Sequence, residues 1–180
     1  MRLNNKIQKV LLFASICLLF LSCKNPAATI YKGERKASFV ETIIIVRHAE
    51  KEITGGNDPA LSAAGKLRAE KLASIFPGVL PDSFYATNYI RTISTLSPWA
   101  TTVHKNIIVY DAARLPDFAD MLKKQKGKTI VVAGHTNTVP PLVNLLLGTQ
   151  KFKQLKDDEY DRIFIVTIVN GIAKVEVKIY

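Results

Sequence analysis

Hydrophobic positions along the chain form short apolar runs that alternate with stretches of helical spacing. Residues 42–47 (TIIIVR) and 129–133 (TIVVA) are nearly continuous β-branched runs. Such runs are typical of central strands that are buried on both faces of a sheet. Shorter apolar runs at residues 83–86 and 107–110 predict two further strands. The pattern therefore predicts a sheet whose inner strands are covered by helices on both sides.

Four stretches between or after these runs have helical character. Residues 61–76 place apolar side chains at positions 61, 64, 67, 72, 75 and 76, which is close to the spacing of one helix face. Residues 117–126 also predict a helix, and so do residues 138–147, provided that Pro140 and Pro141 fall in its first turn. Residues 88–103 are predicted to be helical or mixed, with an interruption at Pro98.

The end of the chain has a different pattern. Residues 163–169 and 173–179 are rich in β-formers and flank Asn170-Gly171. Asn-Gly between two such runs indicates a hairpin, because a type I′ turn needs positive φ at both positions. The whole pattern predicts a three-layer α/β/α sandwich, with a mostly parallel central sheet and a C-terminal antiparallel hairpin.

The N-terminus is predicted to lie outside this domain. Residues 1–9 are basic without an acidic residue, and residues 10–21 (VLLFASICLLFL) carry no charge. Twelve residues are too few to span a hydrocarbon core, which takes roughly 20 in a helix, but they fit the apolar region of a secretory signal. Leu21-Ser22-Cys23 then resembles the lipobox of bacterial lipoproteins, in which the cysteine is lipidated and becomes the first residue.

This resemblance implies a lipoprotein signal peptide at residues 1–22, a lipid anchor on Cys23, a tether at residues 23–40 and a domain at residues 41–180. Residues 24–40 fit a tether because they mix Pro, Gly, Ala and charges without a period. The expected location is the bacterial cell envelope, with a membrane as partner through Cys23. A soluble secreted protein with a cysteine near its cleavage site is the alternative.

The composition and net charge of the chain exclude some classes of protein and favour some classes of binding partner. The chain is 48% hydrophobic and 22% charged, which excludes a disordered chain. Removal of residues 1–22 would take away three of 25 basic residues and none of 15 acidic ones, leaving a net charge of +7. This balance favours anionic headgroups or phosphorylated substrates, whereas no dense Lys/Arg run indicates nucleic acid. Two cysteines, at positions 17 and 23, exclude a disulfide framework.

Histidines and arginines follow the predicted strands, where ligands bind in open α/β sheets. Arg47 and His48 end the first strand, Arg91 lies shortly after the second, and His135 follows the 129–133 strand. Guanidinium groups bind phosphate oxygens through charge-assisted bonds. One neutral imidazole could attack phosphorus, and the other could stabilise the transferring group. The set predicts a phosphoryl site that uses no metal and no cofactor.

Two other interpretations of the histidines remain. A catalytic zinc ion usually takes three protein ligands, and a neighbouring arginine would repel it. Alternatively, each histidine could simply end a strand and bond to the backbone. His104 has no comparable context and is assigned a surface or structural role.

Four segments carry a resemblance to a known family. They are residues 44–51 (IIVRHAEK), 58–65 (DPALSAAG), 85–95 (YATNYIRTIST) and 132–140 (VAGHTNTVP). In this order they resemble the motifs of the histidine phosphatase superfamily, the phosphoglycerate mutase-like proteins. Ala49 stands where the family's Arg-His-Gly signature has glycine.

The resemblance implies that His48 is the phosphorylated nucleophile, that Arg47 and Arg91 hold the phosphoryl oxygens, and that His135 completes the pocket and supports the transition state. A leaving alkoxide also needs a proton, usually from a carboxylic acid. The candidate acids are Asp111, after the 107–110 strand, and Glu50, near Arg47; either could instead form a structural salt bridge. Asn57 is a candidate phosphate donor, although a turn role is also compatible with Gly55-Gly56-Asn57-Asp58.

The expected activity is metal-independent hydrolysis of a phosphomonoester or phosphoprotein through a phosphohistidine. Mutase activity is less favoured, because only about 44 residues separate Arg91 from His135 and leave no room for the long insertion that closes over the substrate in mutases. A lipoprotein that binds a phosphorylated ligand without turnover is the alternative from another class. The oligomeric state stays open.

Overall fold

The computed structural model describes residues 39–180, so the proposed signal peptide, Cys23 and most of the tether lie outside the described residues. The elements in chain order are β1 (Val40–Arg47), α1 (Ala63–Ser74), β2 (Ser83–Ala86), α2 (Ile90–Thr102), β3 (Ile107–Val109), a 3₁₀ helix (Ala112–Arg114), α3 (Leu115–Lys123), β4 (Thr129–Gly134), α4 (Val139–Leu147), β5 (Arg162–Val169) and β6 (Ile172–Ile179). None of the helices in this part of the chain has the length and apolar character needed to cross a membrane.

The six strands form one mixed sheet in the order β3-β2-β4-β1-β5-β6. The first four of these run parallel, whereas β5 is antiparallel to β1, and β6 to β5. The register places Arg47 of β1 opposite Gly134 of β4. The residues that follow these two strands therefore leave the sheet side by side.

Alternate side chains of the inner strands enter two separate cores, as expected for strands covered on both faces. Ile43 and Ile45 of β1 pack in a core that includes residues of α3 and α4. Ile44 and Val46 pack in a second core that includes residues of α1 and α2. The predicted three-layer α/β/α architecture is confirmed.

The C-terminal hairpin is confirmed as well. β5 and β6 pair along their full lengths, from Arg162 opposite Ile179 to Val169 opposite Ile172. Asn170 and Gly171 have φ angles of 51° and 82°, the positive values that a type I′ turn requires.

The predicted interruption at Pro98 is wrong, because α2 continues through it from Ile90 to Thr102. Pro98 cannot donate a backbone hydrogen bond within the helix. Leu96 and Trp99 are buried in the core beside it, at 0% and 2% exposure. Burial of these large side chains outweighs the lost hydrogen bond. By contrast, Pro140 and Pro141 do lie in the first turn of α4, as predicted.

Candidate active site

His48 directly follows β1 and is held by two backbone contacts. Its backbone N–H donates to the Gly134 carbonyl at 2.9 Å, and its side chain is almost completely buried. Nδ1 lies 2.8 Å from the Ala49 carbonyl oxygen. Because a carbonyl can only accept, Nδ1 must carry the proton in the neutral ring. Nε2 of His48 therefore has a free lone pair, as a nucleophile needs.

His135 follows β4, and its ring lies edge to face against the ring of His48. The two ring centroids are 5.3 Å apart, with the planes inclined at 64°. The backbone N–H of His135 donates to Thr138 Oγ1 at 2.8 Å, and its Nε2 lies 2.8 Å from Thr87 Oγ1. The structure thus brings together two histidines that are 87 positions apart in the sequence.

Both histidines are neutral at neutral pH. Burial, followed by the charges of Arg47, His135 and Arg91, lowers the pKa of His48 from 6.5 to about 3. Burial, followed by Arg91 and Arg47, lowers the pKa of His135 to about 4. A neutral ring keeps the lone pair of His48 available for attack on an electrophile.

Arg47, at the end of β1, is fixed by the loop that precedes β5. Its Nη1 donates to the carbonyl oxygens of Lys156 and Asp157, both at 2.9 Å, and of Glu159 at 3.1 Å. The guanidinium carbon lies 3.9 Å from the centroid of the Tyr160 ring, a cation–π geometry. These contacts hold one face and one terminal nitrogen of the guanidinium.

Arg91, in the first turn of α2, is held in the same way by other residues. Its Nη1 lies 3.3 Å from Asp58 Oδ1 and 3.4 Å from the Asn57 carbonyl oxygen. Its guanidinium carbon lies 4.3 Å from the centroid of the Tyr89 ring. The Tyr89 ring also meets the His135 ring edge to face, at 5.0 Å between centroids.

The two arginines share an unusual feature: Nε of each is buried without a hydrogen-bond partner among residues 39–180. A buried unpaired N–H costs about 1–3 kcal/mol, and more when the group is charged. A guanidinium N–H without a protein partner can bind an oxyanion through a charge-assisted bond. Both guanidinium groups act electrostatically on His48 and on His135, so the two unpaired donors belong to the same cluster as the histidines.

Ala49, which replaces the glycine of the family signature, is accommodated by a small core of its own. Its methyl group is fully buried with Leu61 and Ala69. Its backbone N–H donates to Thr95 Oγ1 at 2.9 Å, and Thr95 Oγ1 donates to the Arg91 carbonyl at 2.7 Å. Thr95 thus ties the segment after His48 to the helical turn that carries Arg91.

Glu50 is not placed as a general acid would be. Its carboxylate accepts from Arg68 Nε at 2.9 Å through both oxygens, and from Arg68 Nη2 at 2.7 Å. These hydrogen bonds are the main cause that lowers the pKa of Glu50. A proton donor at neutral pH needs a raised pKa. The structure favours the alternative of a structural salt bridge.

Asp111 is likewise engaged elsewhere. It is exposed, and its Oδ1 accepts from the Ala113 N–H at 2.9 Å, which caps the 3₁₀ helix. No hydrogen bond or ion pair within residues 39–180 joins it to either pocket histidine. Asn57 lies in a turn, in agreement with the alternative that the sequence offered, and its backbone carbonyl accepts a hydrogen bond from Arg91.

Four residues of the pocket were missed by sequence reasoning: Asp58, Thr87, Tyr89 and Tyr160. The first three lie inside segments that carried the family resemblance, and Thr87 and Tyr89 are also within four positions of Arg91, which was a usable signal. Tyr160 lies 25 residues beyond His135 in an irregular segment, and no local pattern marks it. Among residues 39–180, no group of three or more His, Cys, Asp or Glu side chains is arranged to hold a metal ion.

Comparisons with known proteins give a family match and a set of similar solved structures. Residues 43–115 match the family model of the histidine phosphatase superfamily (branch 1). A comparison with curated protein sequences gives no match. The resemblance inferred from the four segments is confirmed, and the match to this superfamily supports phosphatase activity in general.

Three solved structures illustrate the shared fold. The α-ribazole phosphatase of Shigella flexneri has a TM-score of 0.65 and 13% identity, with 77% of this chain and 96% of that chain covered. A mycobacterial glucosyl-3-phosphoglycerate phosphatase has a TM-score of 0.62 and 11% identity, covering 78% and 98%. The protein histidine phosphatase SixA, solved with tungstate, has a TM-score of 0.61 and 17% identity, covering 75% and 94%. At these identities the similarity shows the fold alone.

Proposed function

We propose that this protein is a metal-independent phosphatase that hydrolyses a phosphomonoester or a phosphoprotein through a phosphohistidine on His48. One observation carries the proposal. The unprotonated Nε2 of a neutral His48 shares a pocket with two arginines, each of which has a buried and unpaired Nε. Nucleophile and oxyanion donors are the two parts that metal-free phosphoryl transfer requires.

The proposed reaction has two steps. In the first, Nε2 of His48 attacks phosphorus, the bond from phosphorus to the leaving oxygen breaks, and the leaving oxygen takes up a proton from solvent water. Arg47 and Arg91 stabilise the phosphoryl oxygens throughout. In the second, water attacks the phosphohistidine, the phosphorus–nitrogen bond breaks, and the electron pair returns to Nε2. Phosphate then leaves the pocket.

The positions of the two candidate acids bear on the substrate. Glu50 is paired with Arg68, and Asp111 caps a 3₁₀ helix. Neither candidate acid is free to protonate a leaving oxygen, and the carboxylate of Asp58 at the pocket is paired with Arg91, so leaving groups that need little protonation react best. Aryl phosphates are therefore better test substrates than alkyl phosphates.

The decisive experiment measures hydrolysis of an aryl phosphate by the full chain, with and without EDTA, beside His48→Ala. His104→Ala is the matched control, because His104 lies outside the pocket. We expect turnover that resists EDTA, is lost at least a thousandfold in His48→Ala (on the order of a lost nucleophile) and persists in His104→Ala. Loss of wild-type turnover with EDTA would contradict the metal-free proposal.

The engagement of Glu50 and Asp111 elsewhere also favours a second candidate, a lipoprotein that binds a phosphorylated ligand without turnover. The same samples separate the two. A binding protein would show no turnover in the wild type, yet would bind inorganic phosphate, and His48→Ala would keep much of that affinity. An enzyme would instead form an acid-labile phosphoenzyme that is absent from His48→Ala.

We also propose that the domain is anchored at the bacterial cell envelope through a lipid on Cys23. The apolar run at residues 10–21 and the lipobox-like Leu21-Ser22-Cys23 support this location. Incorporation of a labelled fatty acid into the chain, and its loss in Cys23→Ser, would be the expected result. Labelling that persists in Cys23→Ser would contradict it.

A further inference from the structure

Two buried threonines form a hydrogen-bonded chain that ends on His135. Thr87 and Thr92 are 2% and 0% exposed. Thr92 Oγ1 lies 2.8 Å from the Thr87 carbonyl oxygen and 2.9 Å from the Tyr89 carbonyl oxygen. Thr87 Oγ1 lies 3.0 Å from Thr92 Oγ1 and 2.8 Å from Nε2 of His135.

Counting the protons of this chain fixes the direction of each hydrogen bond. A hydroxyl group has one proton, and a carbonyl oxygen has none. Thr92 must donate its proton to a carbonyl, so the contact between the two hydroxyls uses the proton of Thr87. Thr87 then has no proton left for His135 and can only accept. Nε2 of His135 must be the donor in that contact.

We infer that Thr87 is a positioning residue that holds His135 with its proton on Nε2, so that the pocket contains two neutral histidines in opposite tautomers. His48 carries its proton on Nδ1, because that atom donates to the Ala49 carbonyl. His135 carries its proton on Nε2 and keeps the lone pair of Nδ1. The partner of one ring nitrogen thus decides the chemistry of the other.

The inferred tautomer gives His135 a catalytic role in the hydrolysis step, and this role rests on the proposed function. With a lone pair on Nδ1, His135 acts as a proton acceptor. When water attacks the phosphohistidine, a new oxygen–phosphorus bond forms and the phosphorus–nitrogen bond breaks. The proton of the water passes to Nδ1 of His135 and then to solvent with the released phosphate. A ring turned to the other tautomer could not take that proton.

Nitrogen NMR of the ¹⁵N-labelled full chain at neutral pH tests the tautomers without any turnover. Correlations from the ring carbon protons show which nitrogen of each histidine carries a proton. We expect Nδ1–H for His48 and Nε2–H for His135, with the third histidine identified by its loss in His104→Ala. An Nδ1–H form of His135 would overturn the inference even if the protein proved to be an active phosphatase.

Thr87→Val removes the acceptor at nearly constant volume, and Thr87→Ser restores it. We expect Thr87→Val to lose the pure Nε2–H form of His135 and to lower kcat roughly tenfold or more, with KM changed less than threefold. Thr87→Ser should recover the tautomer and most of kcat. Thr102→Val is the matched control, because the Thr102 hydroxyl bonds only to the Pro98 carbonyl within α2.

The outcomes separate a positioning role from a merely structural one. If Thr87→Val and Thr87→Ser lower kcat equally, or if Thr87→Val lowers it while His135 keeps its Nε2–H form, Thr87 does not act through the tautomer. If Thr87→Val fails to fold, the wild-type spectrum and Thr87→Ser still decide the inference. Failure of the phosphatase proposal would appear separately, as absent turnover with the expected tautomers present.

Discussion

Asp58 connects two parts of the pocket through a single carboxylate. Its two oxygens accept from the backbone N–H of Ile90 at 3.0 and 3.1 Å, which caps the start of α2. Oδ1 also lies 3.3 Å from Nη1 of Arg91. The carboxylate therefore both caps the start of the helix and holds one terminal nitrogen of the guanidinium.

Asp58→Ala tests this role. The variant loses the cap of α2, which costs about 1 kcal/mol of unfolding free energy. It also releases Arg91, so we expect KM for an aryl phosphate to rise several-fold, with a smaller change in kcat. Steady-state kinetics and urea denaturation measure the two effects.

Asp82→Ala is the matched control for Asp58→Ala. Asp82 also combines an ion pair, with Lys128 at 2.8 Å, and a backbone hydrogen bond, from Thr129 at 2.9 Å. Thr129 begins β4, so these contacts lie at the end of the sheet away from the histidines. The control should lose comparable stability and keep the wild-type KM. An equal rise of KM in both variants would mean that Asp58 acts only through stability.

At the scale of elements, helix α1 approaches the segment after β1 unusually closely, and Gly65 makes this possible. A Cβ atom at position 65 would clash with the Glu50 carbonyl oxygen. That carbonyl accepts from the backbone N–H of Ser62 at 3.0 Å, and Ser62 Oγ in turn accepts from the Gly65 N–H at 3.2 Å. The start of α1 is thereby fixed to the segment that follows His48.

We therefore expect Gly65→Ala to destabilise the protein by about 2 kcal/mol or more, because backbone atoms must move apart. Helix propensity alone predicts the opposite sign, a gain of about 1 kcal/mol. Urea denaturation distinguishes the two, with exposed Lys66→Ala in the same turn as control. Unchanged or increased stability in Gly65→Ala would show that the contact relaxes without cost.

Elements defined by local pattern were predictable, and those decided by tertiary contacts were not. Local sequence patterns of a few residues, such as apolar β-forming runs and turn residues, predict the strands at residues 83–86 and 129–133. The same kind of pattern predicts the hairpin at Asn170-Gly171. The continuity of α2 through Pro98 depends on the burial of Trp99 against another element. No residue pattern within the helix itself indicates that Trp99 is buried.

The same distinction explains the candidate site. His48 and His135 were predictable because the carboxyl ends of adjacent parallel strands meet at one edge of the sheet. The role of Glu50 could not be predicted, because its partner Arg68 is 18 residues away in the sequence. Arg68 also donates to the carbonyl of Tyr180, at the other end of the domain sequence. Arg47 likewise depends on a loop more than 100 positions away. Long-range partners of charged groups have no signature in local sequence.

At the scale of the whole molecule, the two buried histidines make stability depend on pH. In the folded protein their pKa values are lowered from 6.5 to about 3 and about 4, mainly by burial. As pH falls below 6.5, the two histidines become protonated in the unfolded chain but stay neutral in the folded protein. The contribution of the two neutral histidines to the free energy of unfolding is therefore fully present above pH 6.5 and is lost progressively as pH falls toward 4.

We expect the unfolding free energy to fall by about 2 kcal/mol between about pH 7.5 and about pH 5, after allowance for solvent screening. Urea denaturation across this range measures the slope. The double variant His48→Gln/His135→Gln should have a flatter slope, and between about pH 7.5 and about pH 8.5 it should run parallel to the wild type. If the wild type and the double variant kept the same slope below pH 6.5, the loss of stability would come from carboxylates elsewhere in the fold. The pocket histidines would then be accessible to protons in the folded protein, and a neutral His48 nucleophile at acidic pH would no longer follow from its burial.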